Sequence, residues 1–255
     1  MMQKSHQTHV EGQFGPRAQA YVASSVHAQG ADLGYIGEVA AAIRPACAID
    51  LGCGGGHVAY RLAEHAAQVT ACDLSADMLK AVAETAAARG LANIDTVRTP
   101  AENLPFETAT FDMLGCRFTA HHWRDAKAGL REARRVLKPG ATALFVDVVA
   151  SADPLYDSHL QVVETLRDTS HVRDYSLAEW TVMLEQAGFE VTGVRRWRMQ
   201  MEFSSWIARM ATPPTLVAAI RAVQDSASAD VKAYFEIEPD GSFMLDMALM
   251  EARAA

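Results

Sequence analysis

Asp50-Leu51-Gly52-Cys53-Gly54-Gly55-Gly56 decides the fold. The residues leading into it, Cys47 to Leu51, are a short apolar run. The residues following it, His57 to Ala66, are alanine-rich and helix-compatible. A buried strand therefore turns into a helix through a glycine cluster. Gly52, Gly54 and Gly56 lack a Cβ, which permits a tight turn and lets the backbone approach a ligand closely. Asp73 lies 21 residues beyond Gly52, at the expected tip of the next strand, Gln68 to Asp73. An acid there can accept hydrogen bonds from both hydroxyls of a ribose. Together the two features indicate a nucleoside-containing cofactor at the carboxyl ends of the strands.

Outward from this turn the chain alternates. Ser75 reads as a helix N-cap with Asp77 in the first turn, and alanine-rich helix runs to Gly90, a C-terminal stop. Asn93 to Thr99 and Phe111 to Arg117 read as strands. Trp123 to Leu137 reads as an amphipathic helix closed by Lys138-Pro139-Gly140, and Ala141 to Val149 as a long apolar strand. Such alternation implies a parallel sheet covered on both faces. Upstream, a polar N-terminal arm ends near Pro16, followed by helices at about 17–29 and at Leu33 to Ile43, the latter stopping before Pro45. Downstream, helices are expected at Asp153 to Asp168 and Ser176 to Ala187. A strand follows at Phe189 to Met201, then a helical insertion at about 204–235 broken by Pro213-Pro214, and a last strand at Ser242 to Ala252. The expected organisation is one domain over 1–255: a helical cover at 1–45, a cofactor-binding core at 46–150, and a substrate-side half at 151–255 that contains the insertion.

The 255 residues carry a net charge of −8, with 50% hydrophobic and 21% charged residues. An acidic balance argues against wrapping nucleic acid phosphates and against anionic membranes. No run approaches a membrane span, and the N-terminal stretch lacks the apolar run of a secretory signal. The expected setting is cytoplasmic. Cys47, Cys53, Cys72 and Cys116 form no CxxC pair and no zinc spacing, so they read as free thiols in apolar surroundings.

The glycine loop alone leaves the cofactor open. The register Gly54, Gly56, Ala59 fits the dinucleotide pattern G-x-G-x-x-G/A, a weak match by itself. Asp50, two residues before the first glycine, favours a different ligand. A pyrophosphate has little use for that charge, whereas a sulfonium and an α-ammonium group do.

D-x-G-x-G-x-G followed by an acid at the second strand resembles motif I and its partner in class I S-adenosylmethionine-dependent methyltransferases. Three further stretches resemble the ubiquinone/menaquinone-biosynthesis-like small-molecule group (the methyltransferase type 11 domain). They are Ala101-Glu102-Asn103-Leu104-Pro105-Phe106, Phe111-Asp112, and Arg135-Val136-Leu137-Lys138-Pro139-Gly140. The similarity covers about residues 47 to 150. The resemblance implies an α/β, Rossmann-like fold: a seven-stranded, mostly parallel sheet with the last strand antiparallel, plus helical lid elements. It implies S-adenosyl-L-methionine as cofactor. Gly52 and Gly54 would line its methionine end, and Asp50, Cys53 and Arg117 are further candidate cofactor-binding residues. Asp73 would hold the ribose, Leu74 would pack on the adenine, and Ala101 and Glu102 would sit at the adenine edge. Many relatives have an acid before the Ala-Glu pair; here Pro100 stands there. The N-terminal stretch 14–33 resembles the group's helical cover, in which Tyr21 would close over the cofactor or the acceptor, unless Phe14 and Tyr21 are core residues.

Methyl transfer from a sulfonium is an in-line displacement driven mainly by alignment, and it needs a base only when the acceptor must lose a proton. Arg117-Phe118-Thr119-Ala120-His121-His122-Trp123 borders the transferable methyl in this fold. His121 or His122 is the candidate base; the plainer reading is that they cap the next helix. With no carboxylate or third ligand in sequence beside them, no metal is expected. Trp180, Trp197 and Trp206 and the nearby methionines line either an acceptor pocket or the core, and Arg196 and Arg198 share a strand face. The expected partner is a small-molecule acceptor, with no nucleic acid and no membrane; a homodimer is compatible with the sequence. The competing readings are an NAD(P)-dependent oxidoreductase and a non-catalytic cofactor-binding partner protein. No Asn-Pro-Pro-Tyr-like motif follows the fourth strand, where Cys116-Arg117-Phe118-Thr119 stands, which weakens base N-methylation.

Overall fold

A computed structural model describes residues 5–18 and 30–255. Its centre is a seven-stranded sheet with the order β3-β2-β1-β4-β5-β7-β6. The strands are β1 (Cys47–Leu51), β2 (Gln68–Asp73), β3 (Ile94–Arg98), β4 (Phe111–Arg117), β5 (Leu137–Val148), β6 (Phe189–Met201) and β7 (Phe243–Ala254). β1 pairs in parallel with both β2 and β4, whereas β7 runs antiparallel to β5 and β6. The sheet is thus mostly parallel, with the last strand reversed.

Neighbouring residues on the inner strands face opposite layers, as period-two geometry requires. Ile49, Leu114 and Phe145 join one buried cluster, and Ala48, Met113 and Leu144 join the other. The helices that cover these faces are α1 (His6–Phe14), α2 (Ala31–Ile43), α3 (His57–Ala63), α4 (Ala76–Ala88), α5 (Ala126–Val136), α6 (Pro154–Arg167) and α7 (Leu177–Ala187). A group of three, α8 (Phe203–Met210), α9 (Pro214–Ser226) and α10 (Ala229–Tyr234), lies between β6 and β7. Their ends follow local rules. Ser75 accepts from Met78 N at 3.2 Å, Ser176 and Glu179 form a capping box, and Gly188 closes α7 with φ 93°. Pro213 and Pro214 separate α8 from α9. A third apolar cluster, built on Leu160, Trp206, Phe243 and Met247, sits beneath the three inserted helices.

Two segments differ from the sequence expectation. The stretch read as a polar arm contains α1, capped by Ser5, whose hydroxyl accepts from Thr8 N. Its helical pattern is weak because, apart from Val10 and Phe14, its sequence is polar. His6 Nε2 donates to the His122 carbonyl at 2.9 Å, and Arg98 Nη2 donates to Glu11 at 2.7 Å. Second, Lys138-Pro139-Gly140 does not stand as a loop after α5 but lies inside β5, which starts at Leu137 paired with Phe111. The helix expected at about 17–29 falls mostly outside the described residues, as does Tyr21.

Candidate functional site

The chain lays down β1, β2 and β3 in one direction and then returns to β4 on the other side of β1. Ligands of open α/β sheets bind beyond the carboxyl ends of the strands at such a reversal. Asp50, Asp73 and Arg117 end β1, β2 and β4 there, and all three line one cleft. Gly52, Cys53, Gly54, Leu74, Ala101, Glu102 and His122 line the same cleft. The structure thus brings together every described cofactor candidate.

The turn after β1 explains the glycines. Gly52 has φ 73° and Gly54 has φ 47°, in the left-handed region. A Cβ on Gly52 would lie 2.2 to 2.8 Å from the side chain of Thr119. A Cβ on Gly54 would meet nothing within 4 Å, because that position opens onto the cleft. The loop is bound to β2 by Cys53 N donating to the Cys72 carbonyl at 2.8 Å. It is also held by Gly54 N, which donates to Asp73 Oδ2 at 2.9 Å. Asp73 Oδ1 accepts from Ser75 N at 2.8 Å, so the carboxylate is oriented by two backbone donors before any ligand arrives. Its surroundings exclude water and push its carboxyl above the usual range, against the lowering effect of those donors.

Asp50 is almost fully buried and accepts from Ala59 N, in the first turn of α3, at 2.8 Å. Burial raises its carboxyl to about 7; the Ala59 hydrogen bond and Arg117 pull it down and Asp73 pushes it up. It therefore anchors α3 as well as facing the cleft. Arg117 is tied to Asp32 on α2 by a buried ion pair, with side-chain exposures of 6% and 4%, and stacks over Phe118 at 4.2 Å. Sequence reasoning named Arg117 and missed Asp32 and Thr119. It also missed Val10 and Glu11 of α1, which with Phe14 close one side of the cleft. Asp32 had one sequence signal, its place in the first turn of a helix, and that signal says nothing about a partner 85 residues away.

The remaining motifs hold each other. Arg135 donates to the Phe106 carbonyl at 2.6 Å and the Leu104 carbonyl at 2.9 Å, while Glu132 accepts from Leu104 N at 2.8 Å. These bonds fix the segment that presents Ala101 and Glu102. Lys138 Nζ donates to Asp112 at 2.6 Å, joining the starts of β4 and β5.

The two histidines separate. His122 lines the cleft; its Nδ1 donates to the Ser170 carbonyl at 3.3 Å. Burial, reinforced by His121 and His171, keeps its pKa well below the usual value. His121 does not line the cleft but faces an adjoining cavity. Its Nδ1 donates to Asp147 Oδ1 at 2.6 Å. Burial alone would lower its pKa, yet the charge and hydrogen bond of Asp147 raise it to about 9. Asp147 and Asp174 offer oxygens within 4.8 Å of the His121 ring nitrogen. The expectation that no carboxylate stands near the histidines is therefore corrected: β5 and the loop before α7 bring two. Trp206 lines the same adjoining cavity, whereas Trp180 is buried in the core against Phe145. Arg196 and Arg198 lie on the edge strand β6, and Arg198 pairs with Glu236 and Asp246.

Two expected results follow for this cluster. By ring-proton NMR, His121 titrates near pH 9, while His122 stays uncharged through neutrality. A raised histidine pKa contributes stability that is complete below about 6.5 and is lost as pH rises through about 9. Asp147→Asn should therefore bring the His121 titration down by more than one pH unit. An unchanged titration would remove Asp147 as its cause.

A family model described as a methyltransferase domain matches residues 49–145. YafE of Escherichia coli, an uncharacterized protein, is 45% identical over 200 residues, 78% of this chain and 97% of its own. YcgJ of Bacillus subtilis, an uncharacterized methyltransferase, is 33% identical over 203 residues, 80% of each chain. Its crystal structure superimposes with a TM-score of 0.84, covering 88% of this chain and 97% of that one. The ubiquinone/menaquinone biosynthesis C-methyltransferase UbiE of Brucella anthropi is 31% identical over 174 residues, 58% of this chain and 64% of its own.

Proposed function

The chain belongs to the methyltransferase-domain family and carries out S-adenosylmethionine-dependent methyl transfer, and from that premise we propose that its acceptor is a small molecule. The observation that carries this is the covered geometry of the cleft. α1 closes one side, and Phe118 and His122 form a wall shared with a second, concave pocket. A polymer would need a surface. The net charge of −8 also disfavours a nucleic acid acceptor.

The residues present fit the cofactor. Gly54 faces open space, so bare backbone is offered to its amino-acid end. Asp50 suits its cationic groups and Arg117 its carboxylate. Asp73, already oriented, accepts from the ribose hydroxyls, while Leu74, Ala101 and Glu102 border the adenine. Tyr21 remains a proposed cover residue. When bound, the cofactor supplies a methyl group on a positively charged sulfur that leaves as a neutral thioether, so the protein needs no oxyanion hole. The chain's own contribution is to hold the partners in line and exclude water. His121, charged up to about pH 9 beside Asp147, donates Nε2–H to an acceptor oxygen; it takes up an acceptor proton on Nε2 only above that pH, where it is uncharged. His122, kept uncharged, positions the wall between cleft and cavity.

The test is thermal: S-adenosylhomocysteine should raise the melting temperature by mass action, and NAD or NADP should not. Stabilisation by the nicotinamide cofactors alone would overturn the reading. Asp50 adds a pH dependence. Its raised carboxyl means that its contribution to stability is present at low pH and lost as pH rises through about 7. The ligand's α-ammonium needs the ionised form, so affinity for S-adenosylhomocysteine should climb from pH 5.5 to 7.5 and then level. Asp50→Asn should flatten that climb in calorimetry; an identical slope would show that Asp50 does not face the ligand's cation.

A further inference from the structure

The cavity beside the cofactor cleft shares Phe14, Phe118 and His122 with it, so a molecule seated there touches the same wall as the cofactor. It encloses about 630 Å³ of empty space, the open solvent at its mouth included. One side is Met199, Met201, Leu245, Met247 and Trp206. Thioethers and an indole adapt to flat apolar bodies without supplying a charge.

The opposite side is polar. His121 uses Nδ1 on Asp147, which leaves Nε2 as the ring nitrogen available to the cavity. Asp174 lines the cavity too, is 1% exposed, and has an Oδ2 without a hydrogen-bond partner; His171 Nε2 is 3.8 Å away, on a histidine whose pKa burial lowers to about 3 and which so stays uncharged at neutral pH. A buried carboxyl oxygen in that state is free to take a hydrogen bond from a bound molecule. A ring nitrogen of His121 and a carboxylate oxygen of Asp174 lie within 4.8 Å of each other, so both side chains border the same part of the cavity. The cavity's charges select against a cation. Arg167 and Arg209 line it beside His121, while burial pushes the carboxyls of Glu164 and Asp174 upward toward their uncharged forms.

We propose that this cavity is the acceptor site, and that the acceptor is an uncharged molecule with an apolar body and a hydroxyl held between His121 and Asp174. This rests on the methyl-transfer reading and adds the site and class of the acceptor.

The test is calorimetric titration of the protein saturated with S-adenosylhomocysteine. Two probes of similar size are used at pH 7.5: 2-naphthol, and 2-naphthylmethylamine as its ammonium. The expected result is saturable binding of 2-naphthol and at least tenfold weaker binding of the ammonium. Met199→Trp adds bulk at a half-buried site on the edge strand and should abolish 2-naphthol binding. Asp174→Ala should weaken it tenfold or more. Both variants should keep S-adenosylhomocysteine affinity within about twofold, which also reports that they are folded. The proposal is overturned if the ammonium binds as well as 2-naphthol, if Met199→Trp leaves binding unchanged, or if neither probe binds. It is also overturned if Mn²⁺ raises the melting temperature in a manner lost on Asp174→Ala, which would assign Asp174 to a metal ion. Failure of S-adenosylhomocysteine itself to bind would instead defeat the cofactor reading.

Discussion

Asp73→Ala should weaken S-adenosylhomocysteine binding by about 1–3 kcal/mol, the range for hydrogen bonds to a charged group, or roughly five- to 150-fold. The structure argues for the upper part of that range. Asp73 does two things at once: it faces the cleft, and it accepts from Gly54 N and Ser75 N. Without it the ribose loses its acceptor and the glycine turn loses the bond that fixes Gly54. Asp73→Asn keeps the shape and one oxygen acceptor but removes the charge, so its loss should be intermediate. The apo protein should be affected far less than the complex, because the buried carboxyl is itself costly to ionise in the folded state. Calorimetry measures the affinity and thermal melting the stability. Unchanged affinity in Asp73→Ala would remove the residue from the site.

Gly52→Ala should be the most damaging single-atom change in the turn. The new Cβ meets three atoms of the Thr119 side chain at 2.2 to 2.8 Å, with the backbone held at φ 73°. A left-handed non-glycine residue costs about 1–2 kcal/mol, and overpacking a filled site adds about 1–3 kcal/mol. For a chain of this size that corresponds to a fall in melting temperature of about 5 to 15 °C, together with loss of cofactor binding. Gly54 provides the contrast. Its Cβ would meet nothing in the protein, so Gly54→Val should lower stability by the backbone cost alone yet block the cofactor by bulk. A Gly54→Val protein that melts as low as Gly52→Ala while still binding S-adenosylhomocysteine would show that the open position is not the cofactor's cradle.

The same two glycines show what the sequence carried. That Gly52 and Gly54 permit a turn followed from their lacking a Cβ, and Asp73 followed from its place at the end of the next strand. These are local facts. That Gly52 is crossed by Thr119 and Gly54 by nothing depends on β4 lying beside β1, which spacing alone does not encode. The four motifs were legible in order, but their mutual support was not: Arg135 grips Leu104 and Phe106, and Lys138 grips Asp112. The histidines were legible as a pair. Their division of labour was not, because Asp147 and Asp174 reach His121 from 26 and 53 residues further along the chain. α1 escaped notice because Val10 and Phe14 are its only large apolar residues, and its other anchors are polar, through His6 and Glu11, so no apolar period shows. The alternating strands and capped helices were readable because their signals lie within a few residues, as at Ser75 and Ser176.

The most direct measurement is a crystal structure of the protein with S-adenosylhomocysteine. The account predicts the amino-acid end against the backbone of Gly52 to Gly54, both ribose hydroxyls on the Asp73 carboxylate, and the sulfur turned toward the wall formed by Phe118 and His122. A ligand bound elsewhere, or one whose ribose leaves Asp73 to its two backbone donors, would contradict it.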